Sequence, residues 1–361
     1  MPQPPYQKSW RQFLVDALQE SRMGRRLVAT RWLQRVLPGL RLPQSAVIDG
    51  QAKTLVQTQA TNFTEATFVF GGKAYPYRLY VPTADAPPSA GQPLKRPLVV
   101  LLHGCKQDAQ DFAQGTAMNA LAQAHGCMVL YPEQLPKANQ ARCWNWFESE
   151  HQQVDQGEPG MIAALTRQVL SSDHGGSRAD PDRVYIAGLS AGGAMAAVVA
   201  GLYPDIFAAL GVHSGLPAGA AHDMLSAFTA MRTGANKGNK AKGQATLALP
   251  TIVFHGSADT TVHPDNGEQI TGAALAALKA SGLLLERRQS QVSSEGASSQ
   301  PSTQRIEYRS ADGPSYVEHW RIDDGPHAWS GGDATGSFTD PSGPSASEAM
   351  LAFFLQHKKR L

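Results

Sequence analysis

The sequence predicts an α/β fold built on a mostly parallel sheet with helices on both of its faces. Two observations indicate this class. Short apolar runs such as LVVLLH, CMVLYP and LPTIVFHG alternate with helical patterns between residues 98 and 256. This alternation is typical of a parallel sheet whose strands are covered on both faces. The chain of 361 residues is also 42% hydrophobic, which is enough to bury a large core.

The elements follow one another in a regular order. The stretch ATFVFGGKAYPYRLYVP, residues 66 to 82, predicts a hairpin that turns at Gly71-Gly72. Strands and helices then alternate from residue 98, in the order LVVLLH, FAQGTAMNALAQAHG, CMVLYP, GMIAALTRQVLSS, RVYIAGLS, GGAMAAVVAGLYP, LGVHSG and LPTIVFHG. EAMLAFFLQH predicts a closing helix. We therefore expect one large domain over residues 61–361.

Residues 1–60 are predicted to form a separate basic helical extension. Apolar residues recur with helical spacing from Trp10 to Leu18 and again from Val28 to Leu37. Residues 1–53 contain nine Lys or Arg and three Asp or Glu. Such basic amphipathic helices either dock on their own protein or adsorb to an anionic surface, so residues 1–40 are candidates for contact with a granule or a membrane surface. The extension contains no predicted catalytic group, and we expect it to be dispensable for chemistry on soluble esters.

Composition excludes several classes of function. The formal net charge is +2, which offers no general basis for binding nucleic acid. The sequence has no apolar run of 18 residues, so no transmembrane helix is expected. Three cysteines are too few and too far apart for a zinc finger, and no cofactor or metal site is predicted. The first residues lack the pattern of a secretory signal, which favours a cytoplasmic location.

The most specific motif is Gly188-Leu189-Ser190-Ala191-Gly192. It fits G-x-S-x-G, follows an apolar strand and opens an alanine-rich helix, which is the context of a nucleophile elbow. Glycines are needed there because bulkier neighbours would collide with adjacent elements at the sharp turn. Ser190 is therefore the predicted nucleophile.

A nucleophilic serine requires a base and an orienting acid, which follow it in the order acid then histidine in this type of fold. Asp259 comes just after the buried strand TIVFHG, and His327 lies in the Gly/Pro-rich loop DDGPHAWSGG. We predict these two as the acid and the base. The competing histidines are interpreted as structural, and the competing acids precede His327 on its own strand or lie further from a strand end. These alternatives are His213, His255, His263 and His319, and Asp323, Asp324, Asp265 and Glu268.

The apolar run LVVLLH leads directly into His103-Gly104-Cys105, which could indicate a metal site, a cysteine nucleophile or a backbone turn. Ser190 already occupies the elbow, and no second ligand pair has matching spacing. An oxyanion hole takes one amide from the residue after the nucleophile and one from a loop after an earlier strand. Ala191 and Cys105 are the predicted amide donors.

Several motifs together resemble the polyhydroxybutyrate depolymerase family of esterases, which is related to feruloyl and acetylxylan esterases. The resemblance extends over about residues 65 to 357 and is carried by LLHGCKQ, LYPEQ, CWNWF, GEPGMIAAL, GLSAGGAMAAVVAGLYPDIFAA, FHGSADTTVHP and GPHAWSGG. It implies an α/β-hydrolase fold, no cofactor and ester hydrolysis through an acyl-enzyme. It assigns the triad to Ser190, Asp259 and His327, and the oxyanion hole to Cys105 and Ala191.

The resemblance also implies a disulfide between Cys105 and Cys143, which leaves Cys127 as a buried thiol. Trp144 and Trp146 would then lie near the cleft as substrate-binding residues, although a place in the core is an equally open interpretation. A disulfide suits an extracellular or periplasmic location, whereas the absence of a secretory pattern favours the cytoplasm. Both locations stay open from the sequence.

The leading functional hypothesis is a serine esterase that cleaves polyhydroxyalkanoate, meaning 3-hydroxybutyrate polymer or oligomer, or a related polyester. The alternative within the same fold is an esterase of the feruloyl or acetylxylan type. A hypothesis of another class is a granule-binding protein without catalysis, which the complete Ser190, Asp259 and His327 set argues against.

Overall fold

A computed structural model describes residues 62–83, 93–235, 248–292, 302–311 and 313–359. The predicted N-terminal extension and its contact with a surface lie outside these residues. No helix in these ranges is both long enough and apolar enough to span a bilayer.

Ten strands of the described residues form one sheet, and two short strands form a separate parallel pair. The strands are β1 Phe63–Phe70, β2 Lys73–Tyr80, β3 Leu94–Leu102, β4 Met128–Pro132, β5 Ser177–Leu189, β6 Ala209–His213, β7 Thr251–Gly256, β8 Glu286–Val292, β9 Thr303–Arg309, β10 Ser315–Ile322, β11 Trp329–Ser330 and β12 Thr339–Asp340. The large sheet has the order β1-β2-β4-β3-β5-β6-β7-β10-β9-β8. Its six central strands, from β4 to β10 in that order, are parallel, and antiparallel strands flank them on both sides.

Helices cover both faces of the sheet. They are α1 Ala109–Thr116, α2 Met118–His125, α3 Gly157–Ser171, α4 Ala191–Leu202, α5 Met224–Thr233, α6 Asp265–Ala280 and α7 Ala346–Phe354, with a 3₁₀ turn at Ser149–Gln152. The side chains of β3 alternate between two hydrophobic clusters: Leu98 and Val100 pack in the cluster that contains α3 and α4, whereas Val99 and Leu101 pack in the cluster that contains α1, α2 and α7. This strand is therefore buried on both faces, which explains its unbroken apolar sequence.

The two ends of the sheet differ in how well the sequence predicts them. The hairpin of β1 and β2 turns at Gly71-Gly72, where both residues have positive φ, and the prediction of this turn is confirmed. At the other end, β8 is a strand of sequence ERRQSQV with almost every residue exposed. Such a strand has no apolar alternation, so only its backbone pairing with β9 reveals it.

The carboxyl ends of the central parallel strands meet at one edge of the sheet. His103 follows β3 at this edge, Ser190 follows β5, and Ser214 follows β6. Asp259 lies three residues after β7, and His327 lies five residues after β10. Since loops at this edge are where such sheets carry their functional groups, the topology brings the predicted site residues to a common place.

Candidate active site

Ser190 occupies a sharp turn between β5 and α4. Its backbone has φ 57° and ψ −121°, a left-handed conformation that costs a non-glycine residue on the order of 1–3 kcal/mol. Its amide donates to the carbonyl of His213 at 2.9 Å, which attaches the turn to β6. The turn therefore has the strained geometry of a nucleophile elbow, as the motif predicts.

The glycines of the motif are required by close backbone approach. A Cβ at Gly188 would overlap the backbone of Gly192, and a Cβ at Gly192 would overlap the carbonyl oxygens of Leu102 and His103. The start of α4 therefore lies directly against the end of β3. This contact brings the Ala191 amide and the His103-Gly104-Cys105 loop to the same place.

His327 is paired with Asp259. Its Nδ1 lies 2.7 Å from Asp259 Oδ2, across 68 residues of sequence. Asp259 Oδ1 accepts the amides of Thr261 and Val262 at 2.9 and 2.8 Å, which fixes the carboxylate in its loop. With Nδ1–H donating to the carboxylate, the neutral ring keeps its lone pair on Nε2, the nitrogen from which a base would act.

Two loops hold this pair together. The amide of Ser257 donates to Ile322 O at 2.8 Å, and the amide of Ala258 donates to Gly325 O at 3.1 Å. A Cβ at Gly256 would overlap the Gly325 backbone, so the glycine before the acid loop allows the histidine loop to approach closely. Gly256 and Gly325 thus allow the loop that carries Asp259 and the loop that carries His327 to pack closely together.

The carboxylate of Asp259 is held in its ionised form. Burial alone would raise the pKa of Asp259, but the charge of His327 and hydrogen bonds from His255 and His327 lower this pKa well below its usual range. His255 Nε2 lies 3.4 Å from Asp259 Oδ2 and 2.9 Å from the carbonyl oxygen of Val262. An ionised acid in this position favours the imidazolium that forms when the base takes a proton.

The rival residues have other partners. Glu268 lies 3.7 Å from His319 and 3.4 Å from Arg321, and Asp265 lies 3.6 Å from His263. His213 accepts the amide of Ser330 at 3.0 Å and stacks between Phe254 and Trp329. Burial lowers the pKa of both His213 and His319 to about 3, so these rings stay neutral. Among the described acids, Asp259 is the one that pairs with His327.

The two predicted amide donors lie on opposite sides of the contact between β3 and α4. Ala191 is the first residue of α4, where backbone amides have no partner within the helix. Neither the Ala191 amide nor the Cys105 amide has a hydrogen-bond partner within the described part of the chain. Among the described residues, the ring of His327 is hydrogen-bonded to Asp259 and no hydrogen bond joins it to Ser190 Oγ.

The predicted disulfide is present. Cys105 and Cys143 are bonded, with a Cα–Cα distance of 4.2 Å, just below the usual range of about 4.4–6.8 Å. Cys127 is free and fully buried, and burial raises the pKa of its thiol to about 11. The bond attaches the loop after β3 to the segment that contains Trp144.

Both tryptophans lie in the core. Trp144 is 0% exposed and donates from Nε1 to the carbonyl of His103 at 3.1 Å, while Trp146 is 4% exposed and packs edge-on against Phe147. Their burial favours the core interpretation over substrate contact. The hydrogen bond also gives Trp144 a part in holding the loop that contains Cys105.

A buried glutamate that the sequence reasoning did not single out supports the same segment. Glu158, at the start of α3, accepts the Asn145 amide at 2.7 Å and the Asn145 and Gln134 side chains at 2.8 and 2.5 Å. Burial raises the pKa of Glu158. An acidic residue within the otherwise apolar run GEPGMIAAL could have indicated a buried polar contact. Its partners, Asn145 and Gln134, could not be identified from local spacing.

The fold and the site define the class of this protein as an α/β-hydrolase. A solved acetyl xylan esterase from Aspergillus awamori matches with a TM-score of 0.58 at 18% identity, covering 81% of this chain and 98% of that one. The model of the family described as esterase PHB depolymerase matches residues 76–289, more than half of the chain. The chain belongs to this family. His327 lies beyond the matched residues, so its assignment depends on the geometry above.

Two curated relatives are depolymerases. The chain is 38% identical over 186 residues to poly(3-hydroxyalkanoate) depolymerase C of Paucimonas lemoignei, covering 49% of this chain and 44% of the relative. It is 30% identical over 257 residues to poly(3-hydroxybutyrate) depolymerase of Ralstonia pickettii, covering 67% of this chain and 50% of the relative. The chain therefore spans about half the length of these relatives.

Proposed function

We propose that this chain is a serine carboxylic-ester hydrolase with Ser190 as nucleophile, His327 as general base and Asp259 as orienting acid. The observation that carries the proposal is the 2.7 Å pair of His327 and Asp259 at the same sheet edge as the strained Ser190 turn. Nucleophilic catalysis by serine requires the serine itself, a base and an acid that orients the base, and the three residues supply these groups.

The chemistry proceeds in two halves. His327 Nε2 takes the proton of Ser190 Oγ as that oxygen attacks the ester carbonyl, and the Cys105 and Ala191 amides stabilise the negative charge on the carbonyl oxygen. His327 then gives the proton to the leaving alcohol oxygen, and the ester bond breaks to leave an acyl group on Ser190. Water, deprotonated by the same nitrogen, attacks the acyl group, and the acid product leaves as Ser190 regains its proton.

The proposed substrates are esters of 3-hydroxyalkanoates, as polymer or oligomer. The two depolymerase relatives support this class. An acetyl or feruloyl ester on a polysaccharide is the second candidate, supported by the fold it shares with the acetyl xylan esterase. Cleavage of the polymer itself is the more demanding part of the proposal, since the chain spans about half of the depolymerases it resembles.

Two experiments test the proposal. A fluorophosphonate probe should label the wild-type protein and not Ser190→Ala; failure to label the folded wild type would favour a binding protein without catalysis. Values of kcat/KM for a 3-hydroxybutyrate oligomer, a feruloyl ester and an acetylated xylo-oligosaccharide should then be highest for the oligomer. A higher value for either of the other two would reassign the substrate.

The boundary of the catalytic domain is tested by truncation. A chain that starts near Ala60 should keep its kcat on a soluble ester, because every proposed catalytic group lies after this residue. Loss of activity in a folded truncated protein would contradict the proposed domain division. Loss of binding to polymer granules alone would instead favour adsorption through the residues removed, which include the candidate segment 1–40.

A further inference from the structure

Gly104 has a hydrogen-bonding side chain on each of its backbone groups. Its amide donates to Gln107 Oε1 at 2.9 Å, and its carbonyl oxygen lies 2.8 Å from His103 Nδ1. Both partner side chains are buried, at 0% and 1% exposure for His103 and Gln107. A short loop rarely holds two buried polar side chains unless each has a specific partner, since burial without a partner is costly.

The tautomer of His103 follows from its second contact. The amide of Gln134 donates to His103 Nε2 at 3.1 Å, so Nε2 carries the lone pair and Nδ1 carries the proton. Nδ1–H therefore donates to the Gly104 carbonyl. Burial lowers the pKa of His103 to about 4, which keeps this neutral donor in place at neutral pH.

Holding the Gly104 carbonyl also sets the direction of the next amide. The carbonyl of Gly104 and the N–H of Cys105 belong to one planar peptide, and the described residues contain no cis peptide bond. In a trans peptide these two groups point in opposite directions, so fixing the oxygen fixes the line of the N–H. His103 thus sets the orientation of the Cys105 amide without touching it.

Gln107 links the preceding peptide, the one that carries the Gly104 N–H, to the segment that follows His327. Its Nε2 donates to the carbonyl of Ser337 at 2.9 Å and to Asp111 Oδ2 at 3.1 Å. The amide of Ser337 in turn donates to Asp111 Oδ1 at 2.9 Å. Ser337 lies ten residues after His327, between β11 and β12. One side chain therefore connects the loop after β3, helix α1 and the loop beyond the histidine.

We propose that His103 and Gln107 are positioning residues that aim the Cys105 amide at the reacting carbonyl oxygen. The proposal rests on the proposed esterase function. Because the amide stabilises charge that develops only in the transition state, loosening it lowers kcat and leaves KM nearly unchanged. Substitution of a residue that merely stabilised the loop would lower the thermal midpoint, without a selective loss of kcat at unchanged KM.

Gln107→Met removes the link to Gly104 with little change in volume. We expect kcat on a soluble ester to fall about tenfold to a hundredfold, the scale of a misplaced catalytic group, with KM within about threefold of wild type. Gln114→Met is the matched control, because Gln114 bonds Thr335 of the same distant loop at 2.8 Å but does not contact Gly104. Its kcat should be unchanged.

A conservative variant separates positioning from folding at His103. His103→Asn keeps an amide donor near the place of Nδ1, so its kcat should exceed that of His103→Leu. A folded Gln107→Met with wild-type kcat, equal losses in Gln107→Met and Gln114→Met, or a His103→Asn no more active than His103→Leu would overturn the proposal.

Hydrogen exchange distinguishes failure of this proposal from failure of the proposed function. Amide exchange in a peptide covering residues 103–107 should accelerate in Gln107→Met and not in Gln114→Met, whether or not the protein hydrolyses esters. If the wild type has no esterase activity, the proposed function fails, and the exchange result alone decides whether Gln107 holds the loop. Unchanged exchange in Gln107→Met would reject the positioning role.

Discussion

The two proposed oxyanion donors are held in place by different means. The Ala191 amide belongs to the first turn of α4, and its position follows from the backbone of the elbow and the glycines around it. The Cys105 amide lies in an irregular loop, and it is held by a disulfide and by side chains from elsewhere in the chain. One donor is therefore set by close packing of the elbow backbone and the other by a disulfide and side-chain hydrogen bonds, and the two sides should respond differently to mutation.

Both proposed donors act only when Ser190 attacks the ester. Substitution of a triad residue should therefore have the largest effect on kcat, whichever donor is intact. Ser190→Ala and His327→Ala should each lower kcat by about a millionfold, and Asp259→Asn by about ten-thousandfold, because the acid orients rather than transfers the proton. Steady-state kinetics on a soluble ester, with circular dichroism to verify folding, measure these effects. Activity of purified, folded Ser190→Ala close to that of wild type would refute the nucleophile assignment.

The position of the Ala191 amide should be disturbed when a Cβ is added at the contact between α4 and β3. Gly192→Ala places a methyl group against the Leu102 and His103 carbonyls, so we expect a loss of about 1–3 kcal/mol in unfolding free energy together with a lower kcat. Gly201→Ala is the control on the same helix, because its added Cβ has nothing within 4 Å. That substitution should leave kcat unchanged and raise stability by about 0.4–1 kcal/mol.

A folded Gly192→Ala protein with wild-type kcat would show that the elbow tolerates displacement from β3. In that case the Ala191 amide would not depend on the close approach seen here, and the distinction between the two donors would weaken.

The position of the Cys105 amide should be disturbed when the disulfide is reduced. In the chain-entropy account, the crosslink over a separation of 38 residues contributes about 3–4 kcal/mol to stability. Replacing Cys105 and Cys143 together by Ala should lower the thermal midpoint and also kcat, since the Cys105 amide would then depend on hydrogen bonds alone. Reductant should have the same effect on wild type and none on the double variant.

Cys127→Ala provides a control for the loss of a sulfur atom, since Cys127 is buried and unpaired. It should cost some packing energy but leave the kcat of the folded protein unchanged. A double variant that lost stability and kept full kcat would assign the disulfide to folding alone.

The smallest expected effect is a change in the folding stability contributed by Asp259 as the pH falls. The pKa of Asp259 is lower in the folded protein than in the unfolded chain, so ionised Asp259 stabilises the fold above the unfolded pKa of about 4. This stabilisation is lost as the pH falls below that value. The stability difference between wild type and Asp259→Asn should therefore be present above about pH 5 and shrink in more acidic solution.

Denaturant unfolding of both proteins at several pH values measures this difference. A gap that widened below about pH 4, the unfolded pKa of the carboxyl, would mean that the folded protein does not hold Asp259 in its ionised form, contrary to the pairing with His327.

Features that follow from local sequence patterns were predicted from the sequence. The parallel sheet, the hairpin turn at Gly71-Gly72 and the elbow at Ser190 are of this kind. The order of strand, glycine, serine and helix suffices to predict the elbow, although Gly192 is also required by its tertiary contact with Leu102 and His103. The disulfide was implied by the family resemblance, and the buried place of Cys127 by its position at the start of the apolar run CMVLYP.

Partners far apart in the chain were decided only by the tertiary structure. With 11 histidines in the sequence, local spacing nominates His327, but the 2.7 Å contact with Asp259 requires β7 and β10 to lie side by side. Trp144 could equally have faced the cleft until its burial was seen, and Gln107 in LLHGCKQ carries no sign of its bond to a residue 230 positions away. A buried polar side chain is satisfied by whichever group the fold brings to it, and sequence spacing does not record that approach.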